Sequence, residues 1–231
     1  IISLIAFSTS AEAGEGIFKK SKSLMGTEME ITVVSADEKT AYKAIDAAFS
    51  EIRRIEEMMS TYISESQISK INSAAGEKPV KVDEELIRLI KRAIEYAEMT
   101  EGGFNIAVGP LIKLWKVKEG GNIPGSDEIR KAKEIINYKD IAVDEKKSAV
   151  FLRKKGMAID LGGIAKGYAS DRAEIVLKKN GIVSGIVAVF GDINAFGKKA
   201  DGNKWRVGIQ HPRKKDAFLG IIELEDEAVS T

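Results

Sequence analysis

Apolar positions along the chain switch between two spacings, and the switches divide it into strands and helices. Glu28-Met29-Glu30-Ile31-Thr32-Val33-Val34 alternates in the way a half-buried strand does. Over residues 38–59, Ala41, Ala44, Ile45, Ala48, Phe49, Ile52, Ile55 and Met59 recur every three or four residues, which predicts a helix with one buried face. The Met58-Met59 pair reads as core filling. A polar loop, Ser60–Ser66, leads to Ile68, Ile71 and Asn72. A second helix is predicted from about Asp83 to Met99, burying Leu86, Ile87, Ile90, Ala93, Ile94 and Ala97. Asp83 suits its N-cap, and Glu84 and Glu85 complement the dipole. Thr100-Glu101-Gly102-Gly103 stops it. Ser126 is the expected cap of a short helix to about Asn137. From residue 141 the spacing is that of strands, at Ile141–Val143, Ala149–Leu152 and Met157–Leu161. A further helix buries Ala165, Ala169, Ala173 and Val176 and ends at Asn180-Gly181. Gly185–Phe190, Trp205–Gln210 and Phe218–Leu224 then complete a pattern of strands interrupted by isolated long helices. That order predicts an α+β fold rather than a regular βαβ array.

Composition narrows the function. The chain has 231 residues, 44% hydrophobic and 31% charged, with a formal net charge of +1. A near-neutral chain has no overall field to draw it to nucleic acid or acidic membranes. Short basic pairs such as Lys19-Lys20 and Lys214-Lys215 read as solvated faces. Without cysteine there are no disulfides, thiolate metal sites, cysteine nucleophiles or lipid-anchored N-terminal cysteine. The first thirteen residues, an apolar run followed by Ala11-Glu12-Ala13, read as a signal-peptide remnant cleaved after Ala13, with export to the periplasm or another extracytoplasmic space expected. No other stretch approaches transmembrane length.

Chemistry concentrates in Asp160-Leu161-Gly162-Gly163-Ile164-Ala165-Lys166-Gly167-Tyr168-Ala169. The predicted strand ends here and a helix begins at about Ile164. Glycines let a backbone approach a ligand, and a helix N-terminus turns its unpaired N–H groups toward an anion. Lys166 adds a positive charge. Asp160 would repel phosphate, but it suits a nucleotide base or sugar, or a bound cation. The same stretch also suits a tight strand–helix junction. Neither the phosphate-loop pattern nor the dinucleotide glycine spacing is present. His211, the only histidine, reads as structural, which leaves oxygen-ligated Mg2+ as the expected kind of metal. Tyr62 and Phe104 each suit either stacking on a planar ligand or half-buried anchoring; Trp115 and Trp205 read as core.

The ordered motifs resemble the FAD:protein FMN transferase, or ApbE, family. Met25-Gly26-Thr27, Ser60-Thr61-Tyr62 with Ser66 and Asn72, Thr100–Asn105, Val108-Gly109-Pro110-Leu111 with Trp115, Asp160–Ala169, Gly191-Asp192-Ile193 and Trp205 through Pro212 carry the resemblance. It covers the chain from about residue 23 and implies one domain over 14–231 with an ApbE-like, T-fold-related fold of long helices on antiparallel sheets. It also implies transfer of FMN from FAD to a threonine hydroxyl of an acceptor protein, with AMP released and Mg2+ required. Acceptors implied are Nqr- and Rnf-type redox subunits and other extracytoplasmic flavoproteins. An FAD pyrophosphatase and a non-catalytic flavin-binding module stay open as alternatives.

By residue, the resemblance places Met25, Tyr62, Gly103, Phe104, Asn105, Asp160 and Lys166 against FAD, and makes the Gly163 carbonyl a metal ligand. Asn105 stands where the family has aspartate, so it keeps an acceptor oxygen without the charge. Family members continue past an Ala-Val-Ser-Thr-like segment to further metal ligands. The expectation is therefore that catalytic residues lie beyond Thr231, that the C-terminal part of the domain is missing, and that the chain as given is weak or inactive.

Overall fold

The computed structural model describes residues 2–4, 15–116, 120–189, 191–214 and 217–230. Most of the expected signal remnant, including its Ala11-Glu12-Ala13 step, and Phe190 lie outside these. The chain packs as two compact units, one formed by Ile1–Glu56 with Ala165–Thr231 and the other by Glu57–Ile164. Every described strand pairing is antiparallel. With the long helices, this is the α+β architecture the sequence predicts.

The first unit is layered. Strands β2 (Gly16–Leu24), β3 (Thr27–Ser35), β7 (Gly185–Val189), β8 (Asp192–Phe196) and β11 (Glu227–Val229) form one sheet in the order β11-β8-β7-β3-β2. β1 (Ile2–Leu4), β9 (Trp205–Gln210) and β10 (Phe218–Leu224) form a second, with β9 central. Successive side chains on a strand point to opposite faces, so the five-stranded sheet has two inner surfaces. Val34, Ile186, Ile193 and Ala195 turn to one side, where Trp205, Val207 and Leu224 of the other sheet close an apolar core. Met29, Ile31, Val33, Val187, Val189 and Phe196 occupy the opposite face, all buried.

That second face carries helices α1 (Glu38–Met59) and α6 (Gly162–Lys179). The predicted apolar stripe of α1 is buried throughout, from Ala41 to Met59. Tyr42 meets Phe18 edge-on at 5.8 Å, and Asp46 accepts from Lys20 and Lys22 at 2.8 and 3.0 Å. From α6, Glu174 accepts from Asn194 at 2.7 Å, while Lys178 lies over the Phe196 ring. Glu51 joins the two helices, held by Arg54 on its own helix and by Arg172 on α6. These guanidinium hydrogen bonds lower its pKa to about 2 against the desolvation that opposes them.

The second unit contains α2 (Gln67–Ser73), α3 (Glu84–Met99), α4 (Gly109–Trp115), α5 (Ser126–Lys133) and a small sheet ordered β4 (Val80–Lys81), β6 (Ala149–Leu152), β5 (Ile141–Asp144). Three local expectations are corrected. Gly125, not Ser126, occupies the N-cap of α5, with its N–H bonded to the Glu128 carboxylate at 2.8 Å, and the helix ends at Lys133. Asp83 caps α3 by position, but its carboxylate accepts from the Gln67 amide instead of the helix. Trp115 is 41% exposed rather than core, because α4 buries none of its residues, whereas Trp205 is buried as expected.

Candidate functional site

The stretch from Met157 to Leu161 alternates as predicted: Met157, Ile159 and Leu161 are buried while Ala158 and Asp160 are half-buried. It is not a strand, however, because no strand pairs with it. Other groups satisfy its backbone, as burial requires. The Asn72 side chain donates to Ile159 O at 2.9 Å and accepts from Ile159 N–H at 2.7 Å. Asp160 N–H donates to Ile106 O at 2.8 Å, and Gly109 N–H to Ala158 O at 3.2 Å. The last approach requires glycine, since a Cβ on Gly109 would lie 2.6 Å from that oxygen.

This braced segment delivers Asp160 to the start of α6, which begins at Gly162 rather than Ile164. One Asp160 oxygen accepts from Gly162 N–H at 2.7 Å, and the other accepts from the Thr61 hydroxyl at 3.3 Å. The carboxylate is therefore fixed from two sides and keeps lone pairs for a further partner. The loop bearing Thr61 is itself held by serines. Ser66 donates to Ser60 O at 2.6 Å and caps α2 through Ser69 N–H, while Tyr62 N–H donates to Ser60 Oγ.

Between this loop and α4 lies a cleft of about 520 Å³, with Thr61, Tyr62, Asn72, Pro110, Lys113, Lys116 and Asp160 among its lining residues. That volume falls within the roughly 300–1,000 Å³ of small-molecule sites. Tyr62 lines the cleft and is 60% exposed, so its ring does not anchor a core. The sequence reading missed α4 and with it Lys113 and Lys116. The available signal was Pro110, which falls in the helix's first turn, where its missing N–H costs nothing.

Phe104 and Gly163 are brought together, although neither lines this cleft. The Phe104 ring packs edge-on to Tyr96 at 6.3 Å, and a Cβ on Gly163 would lie 3.1 Å from it. Close packing against Phe104 thus accounts for glycine at 163. Gly103 follows the turn that ends α3, its N–H bonded to Thr100 O. Asn105 caps the short 3-10 turn Ile106–Val108, its side-chain oxygen accepting from Ala107 N–H at 2.9 Å. That use needs an acceptor but no charge, so asparagine serves it.

Two expected site residues belong to the first unit. Met25 and Gly26 form the β2–β3 turn with φ of 52° and 72°, the left-handed pair of a type I′ hairpin. Lys166 faces Asp192 at 3.5 Å, and Asp192 also accepts from the Ser230 hydroxyl. Its charge is already answered within the unit. His211 accepts through Nδ1 from Arg213 N–H, a turn-forming role.

No group of three or more His, Cys, Asp or Glu side chains assembles among the described residues. The donors near the start of α6 are oxygens, namely Asp160 and backbone carbonyls, which fit a hard cation such as Mg2+ by type but do not by themselves fill its shell of ligands.

Comparison with known proteins bears on the same residues. The model of the ApbE family matches residues 25–231. An FAD:protein FMN transferase of Klebsiella pneumoniae (strain 342) is 30% identical over 217 residues, covering 93% of this chain and 66% of the relative. Another, from Salmonella typhimurium, is 28% identical and covers 90% and 61%. The chain thus spans slightly less than two thirds of these curated relatives. Among solved structures, the ApbE protein of Thermotoga maritima is similar with a TM-score of 0.85 and 33% identity, over 92% of this chain and 69% of that one. The flavin transferase ApbE of Vibrio cholerae follows with a TM-score of 0.79 and 28% identity, over 93% and 70%. Matched through the Met25 turn, the Tyr62 loop and the Asp160 segment alike, the chain belongs to the ApbE family.

Proposed function

We propose that the protein is a flavin transferase that moves FMN from FAD to a threonine hydroxyl of an acceptor protein and releases AMP, with Mg2+ as the required cation. The observation that carries this reading is the cleft in which exposed Tyr62 and doubly held Asp160 line one space. An aromatic face and a fixed acceptor are what a flavin nucleotide asks of a site: stacking for the ring and a hydrogen bond to a polar edge. The names of the relatives support the same substrate.

In the reaction, the acceptor's threonine oxygen bonds to the phosphorus on the flavin side of the diphosphate. The bridging P–O bond breaks, AMP leaves with the bond's electrons, and the hydroxyl proton passes to a base. Phosphoryl transfer of this kind depends on position and charge stabilisation more than on covalent help. The residues of this chain would orient the flavin through Tyr62 and the nucleotide through Asp160. Mg2+, when bound, would neutralise the diphosphate, with the Gly163 carbonyl as one donor.

The proposed setting is extracytoplasmic, supported by the sequence of the first thirteen residues, and the proposed acceptors are Nqr- and Rnf-type subunits. No helix among the described residues is long and apolar enough to cross a membrane. The test is to incubate the full-length protein with FAD, Mg2+ and a threonine-bearing acceptor. A gain of one FMN by mass spectrometry with equimolar AMP, abolished by EDTA, is expected. Intact FAD would overturn the reading, and FMN with AMP released in the absence of acceptor would replace it with a pyrophosphatase.

A further inference from the structure

The end of α4 and the loop that follows hold apolar side chains out to solvent. The helix contains Leu111, Ile112, Leu114 and Trp115, yet buries none of them. Trp115 is 41% exposed and Ile123 is 89% exposed, and both line one open recess with Gly120, Gly121 and Asn122. The loop is fastened to the helix. Asn122 N–H donates to Trp115 O at 2.9 Å, its side-chain amide donates to Leu114 O at 3.1 Å, and Gly121 N–H donates to Lys116 O at 3.1 Å. Gly120 and Gly121 take φ of 98° and 84°, which glycine alone adopts freely. Ile123 and Trp115 are therefore displayed from a tied turn, an arrangement that leaves apolar surface in water without benefit to the fold.

The charge around this patch is one-sided. From Gly109 to Lys133, six lysines and arginines stand against three acids, a net +3 in a chain whose total is +1. Two of the acids are used locally, Asp127 by Arg130 at 2.9 Å and Glu128 by Gly125 N–H at 2.8 Å. Lys113, Lys116, Lys131 and Lys133 are exposed, and none pairs with an acid among the described residues. α5, which carries the last two, packs against α4. A near-neutral chain has no long-range field, but a local excess acts over the Debye length of about 10 Å. Lysine is depleted at protein–protein interfaces, so a lysine-rich surround argues against a protein partner. It suits a bilayer boundary, where an indole sits among headgroups, an aliphatic side chain enters the acyl edge and lysines meet phosphates.

We propose that the α4–α5 corner is a peripheral membrane contact that seats Trp115 and Ile123 in the headgroup boundary of an anionic bilayer. This concerns where the protein works and does not depend on which reaction it performs.

The test uses the whole protein with vesicles of phosphatidylcholine alone or mixed equally with phosphatidylglycerol. Trp205 is buried, so a blue shift of tryptophan emission on the mixed vesicles reports Trp115, and W115F should lose it. I123S and K131Q/K133Q change exposed side chains, and a thermal melt checks that each folds as the parent does. Flotation is expected to show binding to the anionic vesicles, weakened about tenfold by either variant and reduced by salt. A parent that does not float with them would overturn the proposal, as would equal binding to both vesicle types or unchanged binding by I123S. A dimer in sedimentation velocity that I123S dissolves would give the patch to a second copy of the chain instead.

Discussion

Asn72 holds Ile159 by both ends of one peptide-like grip, its amide nitrogen on the carbonyl and its amide oxygen on the N–H. A side chain from α2 thereby does for the Asp160 segment what a neighbouring strand does elsewhere. Replacing Asn72 with alanine leaves two buried backbone groups without partners. The expected cost is about 2–4 kcal/mol, read by urea denaturation. N72D keeps the acceptor but sets a carboxylate against Ile159 O, and should be no more stable than N72A. Stability equal to the parent in either variant would show that the grip is dispensable.

Tyr62 is exposed, so removing its ring should barely touch the fold. Y62A is expected to keep its melting temperature within about a degree while flavin affinity falls by about 0.5–1.5 kcal/mol, the worth of one stacked aromatic. Fluorescence titration and a thermal melt on the same sample check both halves.

Packing fixes Gly163 against Phe104. G163A should destabilise the protein by about 1 kcal/mol, and F104L should recover much of that loss, since a smaller side chain yields to the new methyl. A double-mutant cycle with no coupling would separate the two residues.

The Glu51 carboxylate gives the protein a pH signature. Its unfolded value is near 4.5 and its folded value about 2, lowered by Arg54 and Arg172. A depressed acid adds stability above its unfolded value and loses it as the pH falls through its folded value. E51Q is expected to cost about 1–2 kcal/mol at neutral pH, solvent screening having reduced the full shift. The gap between parent and variant should narrow from about pH 4.5 to pH 2. Melting temperatures across that range decide it; a constant gap would remove Glu51 from the account.

What could be read from the sequence followed where side-chain pattern alone determined structure. α1 and α3 were legible because long apolar stripes have one period. β2 was hidden because Lys19, Lys20 and Lys22 break its alternation, yet two of these lysines point inward, their stems on the sheet and their ammonium groups on Asp46. β8 was hidden for a similar reason: Asp192 and Asn194 sit on its inner face, the first paired with Lys166 of α6 and the second donating to Glu174 of the same helix. Met157–Leu161 misled in the opposite direction, since its alternation reports burial and not a partner strand. Of the site, Asp160 and Tyr62 were visible through their motifs. Lys113 of α4 and Lys116 just past its end were not, because a seven-residue helix that buries nothing leaves no periodic trace.

The Met25-Gly26 turn places an unbranched side chain at a positive φ, where L-residues other than glycine and asparagine are disfavoured by about 1–2 kcal/mol. Glycine at position 25 would relax the hairpin at once. Heat tolerance alone thus favours glycine at this position, and a lineage selected for heat would be expected to give the methionine up first.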